Sequence, residues 1–179
     1  MDKLTPHTGI SMKILPRLLV LFGLPLAPTA HASEVGTSAH PFGLGLTVGY
    51  PTGISGKYYL ANRGNAIQGT VAVDPGVGEA GGLYLDAVHL WHPSVLTQEV
   101  GFVLPWHGGV GGFLSDGYGW GSRFGDGAAL GVRGVIGLDF DLEDIPLQIS
   151  GDLGLNIGVH SWSGLFYDPS ITVGVRYYF

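Results

Sequence analysis

Cysteine is absent and charge is scarce. The 179-residue chain has no Cys, which excludes disulfides, thiolate metal centres and lipidation through a lipoprotein-type cysteine. Only 12% of its residues are charged, about half the fraction usual in a water-soluble domain. Lys and Arg total 8 against 14 Asp and Glu, for a net charge of −6. No basic cluster is present to neutralise phosphates, so a nucleic-acid partner is not expected. Long apolar runs are missing as well: nothing approaches the roughly 18–20 consecutive apolar residues of a spanning helix.

What is abundant points elsewhere. Hydrophobic residues make up 45% of the chain and Gly is present 32 times. So much apolar surface with so little charge implies that part of the exterior faces something other than water. Glycine weakens helices but suits turns and crowded barrel interiors. A chain without spanning helices can still live in a membrane if it closes a barrel that pairs every backbone group.

The N-terminus reads as an address. Lys13 and Arg17 form a basic region, Leu18 to Leu26 a short apolar run, and Ala30-His31-Ala32 the small-x-small pattern of a signal-peptidase site. The apolar run is about nine residues, too short to span, and Pro16, Pro25 and Pro28 would interrupt a helix. Residues 1–32 are therefore expected to be a signal peptide, with Met12 an alternative start, and residues 33–179 the folded domain.

Through that domain the period is two. Ile171, Val173, Val175, Tyr177 and Phe179 share one face, with Thr172, Gly174, Arg176 and Tyr178 on the other. Leu130–Leu142 and Leu147–Val159 alternate in the same way. They are long beside the usual strand of about 5–6 residues, and match the roughly 9–11 residues of a tilted membrane strand. With Phe42–Gly49, Thr52–Leu60, Ala66–Val73, Gly82–His92, Phe102–Leu114 and Ile171–Phe179 the count reaches eight. The expected fold is all-β: an antiparallel up-and-down transmembrane barrel.

The small, charged and amide residues form the inward set and the aliphatic residues the outward one. An eight-stranded interior is just wide enough to be filled by side chains. Buried charges are costly unless paired, so Lys57, Asp86, Arg133, Asp139, Asp152 and Arg176 are expected to form an interior ion-pair network. Keeping Asp86 inside sends His89 outward. Short connections at Ala61–Asn65, Pro93–Thr97 and Glu143–Pro146 alternate with longer ones at Asp74–Gly81, Ser115–Gly127 and His160–Pro169, the asymmetry of membrane barrels; only Tyr50-Pro51 departs from it. Tyr58, Trp91, Phe102, Phe140, Tyr177 and Phe179 fall at the inner strand ends, where an aromatic girdle would sit.

The ending Val173-Gly174-Val175-Arg176-Tyr177-Tyr178-Phe179 resembles the C-terminal signal of bacterial outer-membrane β-barrels. Residues 33–179 as a whole resemble the small eight-stranded barrels of the OmpA/OmpX type. The resemblance implies a location in the outer membrane, contact with its lipid, and recognition of Val173, Val175, Tyr177 and Phe179 by the barrel assembly machinery. It implies no activity. A monomer with a structural or surface-interaction role is expected, with Tyr118, Trp120, Trp162, Phe166 and Tyr167 as exposed loop aromatics.

Constellations for chemistry are weak. His160, Ser161 and Ser163 loosely resemble the His and Ser of lipid A-modifying barrels, but Ser163 lies on the opposite face from His160 in a strand, and no acid is placed to orient the His. His89 and His92 would likewise point apart, against a shared metal. The segment Ser115–Asp126 lacks the Asp spacing and final Glu of an EF-hand loop. No catalysis, metal or cofactor is expected. A narrow pore, a lipid A enzyme and a soluble periplasmic barrel remain the alternatives.

Overall fold

The computed structural model describes residues 40–61, 63–73, 82–116 and 127–179. Residues 1–32, the segment expected to be a signal peptide, together with Tyr118, Trp120 and most of the segment 115–126, lie outside them. Eight strands follow in order: β1 (Phe42–Gly49), β2 (Gly53–Tyr59), β3 (Asn65–Val73), β4 (Leu83–Glu99), β5 (Phe102–Asp116), β6 (Ala128–Leu142), β7 (Leu147–His160) and β8 (Gly164–Tyr178). Each pairs antiparallel with its sequence neighbours, and β1 also pairs with β8, so the sheet closes into an up-and-down barrel. Closure leaves no unpaired sheet edge between the first and last strands. The seam runs from Gly43 opposite Tyr178 to Gly49 opposite Thr172, and Phe179 N donates to Phe42 O at 2.9 Å. No helix among the described residues is long and apolar enough to cross a membrane.

The two-residue rhythm sorts the faces as the sequence implies. In β8, Asp168, Ser170, Thr172, Gly174, Arg176 and Tyr178 are buried while the residues between them are exposed. The exposed set is aliphatic: Ile136 is 54%, Leu153 57% and Val173 54% exposed. Inside, Tyr59, Ala66, Leu90 and Tyr178 form an apolar cluster near the end that holds the C-terminus. Ala72, Tyr84, Phe113 and Ala129, with Tyr50 and Phe166 against them, form a second near the opposite end. Charged and amide groups fill the rest of the bore, and some join the clusters, as Gln148 does through Tyr59 and Tyr178.

The tight bore explains inward glycines. A Cβ on Gly43 would lie 2.7 Å from the Tyr178 ring, which covers that position, and on Gly111 it would meet the Ala87 carbonyl and come within 2.6 Å of Val88 Cα. Outward Gly134 and Gly151 have nothing within 4 Å of such an atom.

Two expected boundaries are corrected. β4 does not end at His92 with a turn over Pro93–Thr97; it continues to Glu99, and the turn is Val100-Gly101. Register shifts between Trp91 and Ser94 and between Val95 and Thr97 are bulges, the setting in which a strand accepts Pro93. Gly101 has φ 96°, open to glycine at little cost. The long connection expected over His160–Pro169 is instead a turn at Ser161–Ser163, with β8 starting at Gly164 rather than Ile171. Odd-numbered residues of β8 turn their backbone groups toward β1, as Ile171 O and Phe179 N do. β1 ends at Gly49, opposite Thr172, so Pro169 stands where no ladder donor is needed.

Candidate functional site in the barrel interior

The densest chemistry lies in the polar middle of the bore. Adjacent strands β4, β5 and β6 carry His92, His107 and Asp139, and β2 sends Lys57 across from the other side of the ring. Lys57 Nζ donates to Asp139 Oδ2, and both side chains are fully buried. The same oxygen faces His92 Nε2 at 3.1 Å and His107 Nδ1 at 3.1 Å. The second nitrogen of His107, Nε2, faces Asp152 Oδ1 at 2.8 Å. Gln68 Nε2 donates to Asp152 Oδ2 at 3.4 Å. Lys57 Nζ also stands 5.0 Å from the centre of the Tyr59 ring.

Two further cations occupy separate positions. Arg133 Nε pairs with Asp86 Oδ2 at 3.3 Å, while its Nη1 donates to Asn156 Oδ1 at 3.0 Å and Ser170 Oγ at 3.1 Å. Arg176 reaches neutral acceptors: Ser55 Oγ from Nε and Nη2 at 3.1 and 2.9 Å, Ser150 Oγ from Nη1 at 2.8 Å. Below it, Gln148 Nε2 donates to Asp141 Oδ1 at 2.6 Å, and Tyr178 Oη donates to Gln148 Oε1 at 2.9 Å. A buried charge satisfied in this way avoids the several kcal/mol that an unpaired ion costs.

All six charged residues singled out from the sequence therefore turn inward, but not as one set of ion pairs. Lys57 meets Asp139 and Arg133 meets Asp86. Asp152 is held by His107 and Gln68, and Arg176 by hydroxyls and an amide. Sequence reasoning missed His92, His107, Asp141 and Gln148 as partners. The signal for the histidines was parity: His92 shares the inward register of Asp86, and His107 the face opposite Leu104, Trp106 and Val110. His89 points outward, its ring edge-on to Trp91 with centroids 4.8 Å apart.

At the other end, His160 is buried and Ser161 and Ser163 are exposed. His160 Nδ1 accepts the backbone N–H of Trp162 at 3.3 Å and of Ser163 at 3.4 Å, so this nitrogen holds the β7–β8 turn. Among the aromatics expected in exposed loops, Trp162 and Tyr167 are exposed, at 82% and 77%. Phe166 is not: it packs edge-on against Phe113 with centroids 6.0 Å apart, because β8 already runs at this point and even positions face inward. Phe42 and Tyr58 stand opposite each other, Phe102 stacks on Phe140 at 4.7 Å, and Tyr177 meets Phe179 at 5.1 Å. These aromatics gather on the outer face near the end that holds the C-terminus.

The class defined by this arrangement is a closed eight-stranded antiparallel barrel with a polar bore and an aliphatic exterior. Comparison with protein-family models, curated proteins and solved structures found no match for the chain.

Proposed function

We propose that the chain is an integral protein of a bacterial outer membrane, exported through the periplasm and inserted as a monomeric barrel. Its role is structural or one of surface interaction, and its partners are outer-membrane lipid and the barrel assembly machinery.

The inversion of polarity carries this reading. Every charged side chain borne by a strand is turned inward, except Glu99 and Asp116 at strand tips. The exterior between them is dominated by aliphatic residues, with His89 the outward imidazole in β4. Leaving a Leu, Ile or Val side chain in water forgoes about 1.5–3 kcal/mol. Over a whole ring the loss reaches the order of tens of kcal/mol, more than the roughly 5–15 kcal/mol by which domains are stable. Lipid removes that penalty. The aromatic belt at the end with the C-terminus fits a membrane–water interface.

The filled bore supports a structural role over conduction. Lys57, Asp139, His107 and Asp152 meet across it, with packed side chains around Tyr59 and Tyr178 toward one end and around Tyr84 and Phe113 toward the other. The test is cell fractionation followed by electrophoresis of unboiled, detergent-extracted protein. The expected result is recovery in the outer-membrane fraction with a heat-modifiable band. Recovery in the soluble periplasmic fraction without detergent would overturn the proposal.

A further inference from the structure

We propose that His92, His107 and Asp139 form a buried site for a divalent cation of zinc type, in competition with the Lys57 ammonium. The inference rests on the closed barrel and its side chains, and does not depend on the membrane reading.

Three donor atoms converge from three successive strands. His92 Nε2 and His107 Nδ1 each lie 3.1 Å from Asp139 Oδ2, and one potential ligand atom from each residue falls within a 4.8 Å group. Metal–ligand bonds of about 2.0–2.2 Å in a tetrahedron place ligand atoms roughly 3.3 Å apart. The two histidine–carboxylate spacings lie within a few tenths of an ångström of that value, and the two imidazole nitrogens fall within 4.8 Å of each other.

The surroundings match a metal centre in three further respects. Asp152 Oδ1 faces His107 Nε2 at 2.8 Å, the carboxylate–histidine arrangement that fixes the tautomer and turns the other nitrogen toward a metal. As an imidazolium His107 donates one N–H to each carboxylate; as the neutral tautomer with its proton toward Asp152 it presents the Nδ1 lone pair to a metal on the Asp139 side. Asp139 Oδ1 is buried without a hydrogen-bond partner, a second oxygen available for ligation. Finally, the inward charges are Lys57, Arg133 and Arg176 against Asp86, Asp139, Asp141, Asp152 and Asp168, an excess of carboxylate that a divalent ion offsets better than one ammonium.

Lys57 explains how the site is filled without a metal. Its ammonium occupies Asp139 Oδ2, and its flexible stem leaves it free to withdraw toward Tyr59, whose ring it already approaches. Loading replaces one positive charge at the carboxylate by two. Because Lys57, His92, His107 and Asp139 have no solvent-exposed side chain, the ion is supplied during refolding.

The experiment refolds residues 33–179 with Zn2+ present, in detergent and in parallel in detergent-free buffer, removes unbound metal by dialysis, and counts zinc per folded barrel in whichever medium the barrel forms. Folding is checked by unboiled gel mobility. The expected result is one zinc per barrel, with Co2+ giving the strong visible absorption of a four-coordinate ion. His107→Ala and His92→Ala lose stoichiometric binding, and Asp152→Asn weakens it about 10- to 100-fold. Because ligand variants can fail to fold, Lys57→Met is the decisive one: it removes the competitor and should tighten binding at least tenfold. Substoichiometric zinc in folded wild-type and Lys57→Met barrels alike would overturn the site, as would zinc that survives His107→Ala but is lost in His89→Ala.

Discussion

Lys57 and Asp139 meet across the lumen from strands on opposite sides of the ring, with no solvent exposure on either side chain. A contact of this kind ties the barrel through its centre rather than around its wall. Removing one partner of a buried pair costs about 3–5 kcal/mol. Asp139→Ala leaves the Lys57 ammonium buried without its counter-charge and removes the carboxylate that both His92 and His107 face, whereas Lys57→Met leaves Asp139 still facing the two histidines. Urea unfolding in detergent with chelator, followed by gel mobility, should rank Asp139→Ala as the more destabilised variant. Equal stability of the two would remove the central role given to Asp139.

The inward glycines make a sharper steric prediction. Gly111→Ala places a methyl against the Ala87 carbonyl and 2.6 Å from Val88 Cα, neither of which is the end of a flexible side chain. Gly134→Ala adds the same methyl to open space on the outer face. Overpacking of this type costs about 1–3 kcal/mol, so refolding yield should fall for Gly111→Ala and hold for Gly134→Ala.

Outward positions separate a lipid-facing wall from a wet one. Leu153 is 57% exposed near the middle of β7. On a protein in water Leu153→Arg would be close to neutral. On a lipid-facing strand it costs about 2–4 kcal/mol at the midplane. Folding into lipid vesicles should therefore drop sharply for Leu153→Arg, and wild-type yield would argue for an aqueous exterior.

The final residue offers a test of assembly. Phe179 is 60% exposed and contributes one seam hydrogen bond, from its N–H to Phe42 O. One such bond is worth about 0.5–1.5 kcal/mol. Deleting Phe179 should change refolding in detergent little, yet strongly reduce insertion in cells if the terminal aromatic is read by assembly machinery. Equal insertion of the truncated chain would dismiss that signal.

The strands, their number and their inward faces were readable because alternation is local: each residue's face follows from its neighbours two positions away. Lys57, Arg133 and Arg176 could be placed inside from that rhythm alone, and so could His107, had the parity of β5 been followed through. Strand ends were harder. Pro93 and Pro169 look like breakers in one dimension, and only the bulge in β4 and the early end of β1 show that neither has to donate a hydrogen bond where it stands.

What the tertiary structure decided is partnership across the bore. The stagger between strands sets which inward residues lie at the same height, and closure of β1 on β8 sets which of them face each other. No short stretch of chain encodes either quantity. So the sequence by itself determined a polar bore and an aliphatic wall, through a period of two. The ring alone decided that Asp139 gathers Lys57, His92 and His107, that Asp152 is held by an imidazole, and that Arg176 rests on serine hydroxyls.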